Sequence, residues 1–225
     1  RYKLLFSILD TPYEDESLPA LREQFLKSDI VEEMSELQDE YGGWGRFRSK
    51  DYSVRAKIPT SSTGINRCLY IGLTIHDRDL LFLAKEYLLS LLDGTSPEVL
   101  SEKNERANPW QMAEVCNLIE AITPHSPECD EVYEQWLYIA NCAYAGGEYC
   151  YEADMAAQHD VFLTREKRLV PMQSELLLKR RDRITPELED AMLRHLGGEA
   201  SIRGHFWDKT PDRLPDEFQN RMMRR

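Results

Sequence analysis

The chain has 225 residues, 42% of them hydrophobic and 30% charged, with a net charge of −12, a composition that suits one globular domain with a sizeable core. The acidity argues against a nucleic-acid ligand, since binding phosphate backbones draws on clustered Lys and Arg, and Lys179-Arg180-Arg181 and the basic terminus from Arg221 to Arg225 read as solvated ends. No apolar run approaches the roughly 20 residues that span a bilayer, and five cysteines without a CxxC pair fit reduced, buried thiols in a cytoplasmic protein.

The chain begins at Arg1 rather than Met, which is compatible with a piece of a longer protein. Tyr2 to Leu9 and Leu18 to Leu26, separated by Asp10-Thr11-Pro12, predict a leading helical hairpin over 1–28. Ser28 or Asp29 then caps a helix whose Ile30, Met34 and Leu37 face inward. That helix stops at Tyr41-Gly42-Gly43. A basic loop over 43–59 leads to a helix from about Thr60 to Ile71, patterned on Ile65, Cys68 and Leu69. The next helix carries Leu80, Leu83, Ala84, Tyr87, Leu88 and Leu91 and ends at Asp93-Gly94.

The same grammar follows twice more. A loop over 95–108 precedes helices from Pro109 to Ile122 and Asp130 to Ala143, which stop at Gly146-Gly147. A long loop from Glu148 to about Lys167, with a helical turn at Ala153 to Phe162 inside it, precedes helices over Leu169 to Lys179 and Glu187 to Leu196, which stop at Gly197-Gly198. Gly42, Gly94, Gly146 and Gly198 are each 52 residues apart, and each follows a helical pattern, where glycine supplies the left-handed residue that ends a helix. A fixed period of this length predicts helix pairs repeated over 29–198 within one domain spanning 1–225. Residues 199–225 read as a tail that packs on the repeats or serves as a lid.

Gln38-Asp39-Glu40-Tyr41-Gly42-Gly43-Trp44, with apolar Met34 before it, resembles the QW motif of the terpenoid-cyclase and protein-prenyltransferase superfamily. The resemblance covers residues 29 to 200 as a pattern, is weak at Gly94, and lacks Gln and Trp at Gly146 and Gly198. It implies an all-α fold, an α/α toroid or partial toroid, in which the helix after each glycine turn opens on a central cavity. By that resemblance Thr60, Ser61, Asn108, Trp110, Gln111 and the segment from Tyr149 to Arg168 face the cavity. Thr60 and Asn108 read equally well as helix caps.

The superfamily's catalytic motifs are not carried over. There is no DxDD; His76-Asp77-Arg78-Asp79 stands where a helix begins and reads as capping. Cys129-Asp130 has the wrong order for the prenyltransferase zinc ligands. No metal site or cofactor is expected, for the sequence has no Gly-rich phosphate loop and no HExxH.

The remaining concentration of chemistry runs from Glu148 through Tyr149, Tyr151, Glu152, Asp154 and His159 to Arg168. Glu152, Asp154 and His159 are the acid/base candidates. Tyr149 and Tyr151 are candidates to line an apolar pocket, and Arg168 to hold an anionic group. A solvated charged helix, with Asp154 and Gln158 paired at i, i+4, accounts for the same residues. Two functions follow: an enzyme-like protein binding an apolar or isoprenoid-like small molecule in a cavity, or a non-catalytic helical-repeat scaffold binding a protein partner, a second copy or another domain.

Overall fold

The computed structural model describes residues 17–48, 56–96, 109–162 and 171–197. The regular structure of these residues is all helical, with no strand among them: α1 (Ser17–Leu26), α2 (Asp29–Glu36), α3 (Ser61–Ile71), α4 (Leu80–Leu92), α5 (Pro109–Ile122), α6 (Asp130–Ala143), α7 (Tyr151–Phe162), α8 (Pro171–Lys179) and α9 (Pro186–Gly197). Short 3-10 turns occupy Pro127–Cys129 and Arg181–Arg183. Two compact units are present, Arg1–Glu128 and Cys129–Arg225. The segment from Tyr2 to Leu9, Gly198 and the tail over 199–225 lie outside the described residues.

In the first unit α3 packs on α2, α4 and α5, and α4 also packs on α5. Helix α5 is buried nearly all round, from Ala113 to Glu120, as a helix with neighbours on several faces must be. Helix α4 buries Leu80, Leu81, Ala84, Tyr87, Leu88 and Leu91, the expected stripe except that Leu81 replaces Leu83. Helix α2 departs further: Val31 and Met34 are buried, whereas Ile30 and Leu37, expected inward, are 43% and 42% exposed. The Trp44 indole decides that face by donating to the Met34 carbonyl at 3.0 Å.

In the second unit α6 packs on α7 and α8, and α8 on α9. The helical turn expected at Ala153 to Phe162 is a full helix, α7, beginning two residues earlier at Tyr151. Pro171 and Pro186 open α8 and α9, the position where a missing N–H costs nothing. At or beside the 52-residue positions the left-handed glycines are Gly42 (φ 87°), Gly94 (φ 77°) and Gly147 (φ 80°); Gly45 (φ 79°) and Gly72 (φ 93°) are left-handed as well. At the third turn the left-handed residue is thus one place later than the 52-residue spacing puts it.

All five cysteines are free; Cys68, Cys116 and Cys129 are buried, Cys142 is half-buried and Cys150 is exposed. Burial pushes the Cys68 thiol up to about 12, so it stays protonated and inert.

Candidate functional site

The turn after α2 is held from every side by its own residues. Gln38 donates through Nε2 to the Gly42 carbonyl at 2.8 Å and to the Leu80 carbonyl at 2.9 Å, tying the turn to the start of α4. Asp39 accepts from the Tyr41 and Gly43 amides through one carboxylate oxygen and from the Gly45 amide through the other. Ser61 accepts from the Trp44 amide and donates to the Gly45 carbonyl. Trp44 is 4% exposed and lies on Gly64, where a Cβ would stand 2.5 Å from the indole ring. The turn is a staple, saturated with internal bonds.

Thr60 and Trp110, expected at a cavity mouth, have local partners. Thr60 is the N-cap of α3, its hydroxyl accepting from the Thr63 amide at 3.2 Å. The Ser61 and Ser62 amides donate to the Arg46 and Phe47 carbonyls, so the first amides of α3 are engaged within the chain. Trp110, half-buried at the start of α5, carries the Arg48 guanidinium over its ring at 4.8 Å. Arg48 also pairs with buried Glu114, which accepts from Ser62 Oγ at 3.0 Å. Arg48 is thereby tied to α5 and, through Glu114, to α3.

The second unit contains a different arrangement. Asp154, on the first turns of α7, is fully buried. Its Oδ2 accepts from the Tyr149 hydroxyl at 2.6 Å and its Oδ1 from Gln158 Nε2 at 2.7 Å. The Tyr149 ring stacks on His195 of α9, with centroids 4.4 Å apart. Tyr144, which follows α6, packs against both, 5.7 Å from Tyr149 and 6.0 Å from His195. Burial first, and then the Asp154 charge, push the Tyr144 phenol far above its ordinary value, so this hydroxyl remains a proton donor at any physiological pH.

Helix formation separates the three acid/base candidates. At 100° per residue Glu152 and His159 fall on one face of α7 and Asp154 on the other. Glu152 and His159 are exposed and only Asp154 is buried. Tyr151 is 40% exposed, whereas Tyr149 is half-buried and joins the cluster. Asn108 and Arg168 lie outside the described residues. His195, which stands in no sequence motif, is the histidine that the fold brings to Tyr149. Its only advance signal is a place in the last turn of a helix, which says nothing about partners.

Other acidic groups have structural uses. Asp77 accepts from the Thr74 amide and hydroxyl and pairs with Arg22 at 2.6 Å, so it closes the turn before α4 and ties it to α1. Asp130 pairs with Arg180 at 2.5 Å; Arg180 is 2% exposed and, with Arg183, lies over the Tyr133 ring. Among the described residues no group of three His, Cys, Asp or Glu is placed to hold a metal ion, and no helix is long and apolar enough to cross a membrane. Comparison with protein-family models, curated proteins and solved structures finds no significant match to this chain.

Proposed function

We propose that this chain is a terpenoid-cyclase and prenyltransferase-like helical-repeat protein that holds an apolar small molecule beside the cluster of Tyr144, Tyr149, Asp154 and His195. The observation that carries this reading is the Asp154 carboxylate, fully buried and bonded to a tyrosine hydroxyl and a glutamine amide. Removing a carboxylate from water is expensive, and such groups concentrate at sites where a proton is handled. Here Asp154 is the acid/base group, Tyr149 carries its proton toward the half-buried edge of the cluster, and His195 fixes the Tyr149 ring by stacking. Closure of the helix pairs into an α/α toroid of 52-residue units belongs to the same reading. It is supported by the packing of α5 on both α3 and α4 and by the Ser62–Glu114 bond, whose partners are 52 residues apart.

The test is native mass spectrometry of the purified protein beside its Asp154→Asn variant. An apolar molecule that travels with the first and is absent from the second is the expected result. The same molecule bound equally to both sinks the assignment of Asp154.

A second reading, a non-catalytic scaffold, is favoured by apolar side chains exposed around the first turn: Leu37, Tyr41, Phe82 and Leu83, between 40% and 57% exposed. The Gly42 backbone lies on Leu83, so residues from α2, the turn and α4 contribute to one neighbourhood. Light scattering of the protein and of a Tyr41→Lys/Leu83→Lys double variant distinguishes the readings. A self-associated species that the double variant dissolves supports the scaffold with a second copy as partner; a monomer in both cases counts against that form of it.

A further inference from the structure

Among the described residues of the first unit, one apolar face stays outside the core. Ile30 and Leu37 are 43% and 42% exposed, and their spacing of two helical turns puts them on one side of α2. Tyr41 is 57% and Leu83 40% exposed. A Cβ on Gly42 would stand 3.1 Å from the Leu83 Cβ, so Leu83 of α4 lies beside the turn that carries Tyr41. The rim of this face is acidic, for α2 carries Asp29, Glu32, Glu33 and Glu36 and no basic residue. A second copy docked face to face would bring the same carboxylates to it.

One stretch of the chain has the opposite character. From Arg1 to Leu9 the charged residues are Arg1 and Lys3, and Tyr2, Leu5, Phe6 and Leu9 are spaced i, i+3, i+4, i+7, the spacing of one apolar helix face. The stretch belongs to the same compact unit as α2 and α4, and it is tethered beside them. Helix α1 begins at Ser17 and packs on α2, and its Arg22 pairs at 2.6 Å with Asp77, just before α4. Leu9 precedes Ser17 by eight residues, which reach up to about 28 Å, more than the width of two helices side by side. Leu21, Phe25 and Leu26 of α1 are only half-buried, so α1 adds apolar surface next to the face.

We propose that Tyr2 to Leu9 is a strap that lies across Ile30, Leu37, Tyr41 and Leu83 and sets Lys3 against the carboxylates of α2. The strap closes to a second copy the face that the scaffold reading gives to it, and its displacement opens that face. A segment on so short a tether acts at an effective concentration of about a millimolar, so it prevails over a free copy at micromolar concentration. The inference goes beyond both readings above and does not depend on Asp154.

The experiment is hydroxyl-radical labelling of the full chain, read by mass spectrometry and repeated on Leu5→Asp/Phe6→Asp and on Glu33→Lys/Glu36→Lys. In the unaltered protein Tyr41 should be labelled at least about threefold more slowly than Tyr70, which is 78% exposed. Both double variants should raise labelling of Tyr41 at least about threefold and leave Tyr70 unchanged. Carbodiimide coupling should join Lys3 to Glu33, Glu36 or Glu40, and in a mixture of isotopically light and heavy protein these links should stay within one isotope. Tyr41 labelled as fast as Tyr70 in the unaltered chain overturns the proposal. So does protection that survives Leu5→Asp/Phe6→Asp, which gives the face to another occupant, and so do links between light and heavy chains, which make that occupant a second copy. Should the variants fail to fold, the comparison of Tyr41 with Tyr70 and the isotope pattern of the Lys3 links on the unaltered chain still decide the matter. None of these outcomes bears on the site around Asp154.

Discussion

The turns at Gly42 and at Gly147 each follow the end of a helix, α2 at Glu36 and α6 at Ala143, and each contains a left-handed glycine, yet their surroundings are opposite. At Gly42 a Cβ would overlap the Leu83 carbonyl, and Gln38, Asp39, Trp44 and Ser61 bond the backbone around it. At Gly146 and Gly147 a Cβ would meet nothing within 4 Å. The first turn spends its polar groups on holding itself together. The second leaves the residues beyond it, Tyr149 and Asp154, to form a cluster with distant partners. A turn conserved in shape along the chain is thus a staple in one unit and the support of a polar cluster in the other.

The largest expected effect falls on the first turn. Trp44→Ala should cost about 4 kcal/mol in urea unfolding, because it empties a buried ring site and strands the Met34 carbonyl. Gly42→Ala should cost about 3 kcal/mol, combining a strained left-handed residue with a steric overlap, whereas Gly147→Ala should cost only about 1 kcal/mol for the strain alone. Similar losses at the two glycines would break the comparison.

Arg180→Ala follows at about 2 kcal/mol, through lost packing and pairing of a buried guanidinium. The hydrogen bond from Arg180 holds the Asp130 carboxyl below its ordinary value. A depressed carboxyl stabilises the fold above the usual carboxylate range, and this contribution disappears as pH falls through the lower folded value. Unfolding followed on the acid side should therefore show a pH dependence that Arg180→Ala reduces. A slope that is the same in both proteins would mean that the pair is not coupled to folding.

Gln38→Ala should cost about 1.5 kcal/mol, since two carbonyls lose one donor between them. The smallest effect on stability is expected from Asp154→Asn, within about 1 kcal/mol, because an isosteric amide removes the cost of a buried charge while weakening the bonds to Tyr149 and Gln158. A loss several times larger would make Asp154 a structural group like Asp77 and remove the contrast with the first turn.

How much was legible depends on how far each signal reaches along the chain. Helix α5 begins and ends at Pro109 and Ile122 and α6 at Asp130 and Ala143, where their local patterns put them, and Thr60 caps α3 through a bond only three residues long. Helix α7 was legible as a helical turn over Ala153 to Phe162 with Asp154 and Gln158 on one face, but not as a packed helix, because its buried face contains Asp154 and Gln158 as well as Met155 and Ala157 and no apolar stripe marks it. Once the segment is helical, the separation of Asp154 from Glu152 and His159 follows from its pitch.

The sequence by itself determined that the regular structure of the described residues is helical, the positions of most helix ends, the first glycine turn and the Asp154–Gln158 pair. Each depends on residues within about one or two turns of one another, where backbone sterics and hydrogen bonding act without help from distant contacts. Only the tertiary structure decided that His195 stacks on Tyr149, that Arg48 pairs with Glu114, and that Val31 rather than Ile30 turns inward. Those outcomes depend on which helix packs on which, and the spacing of residues along a single helix does not encode its neighbours.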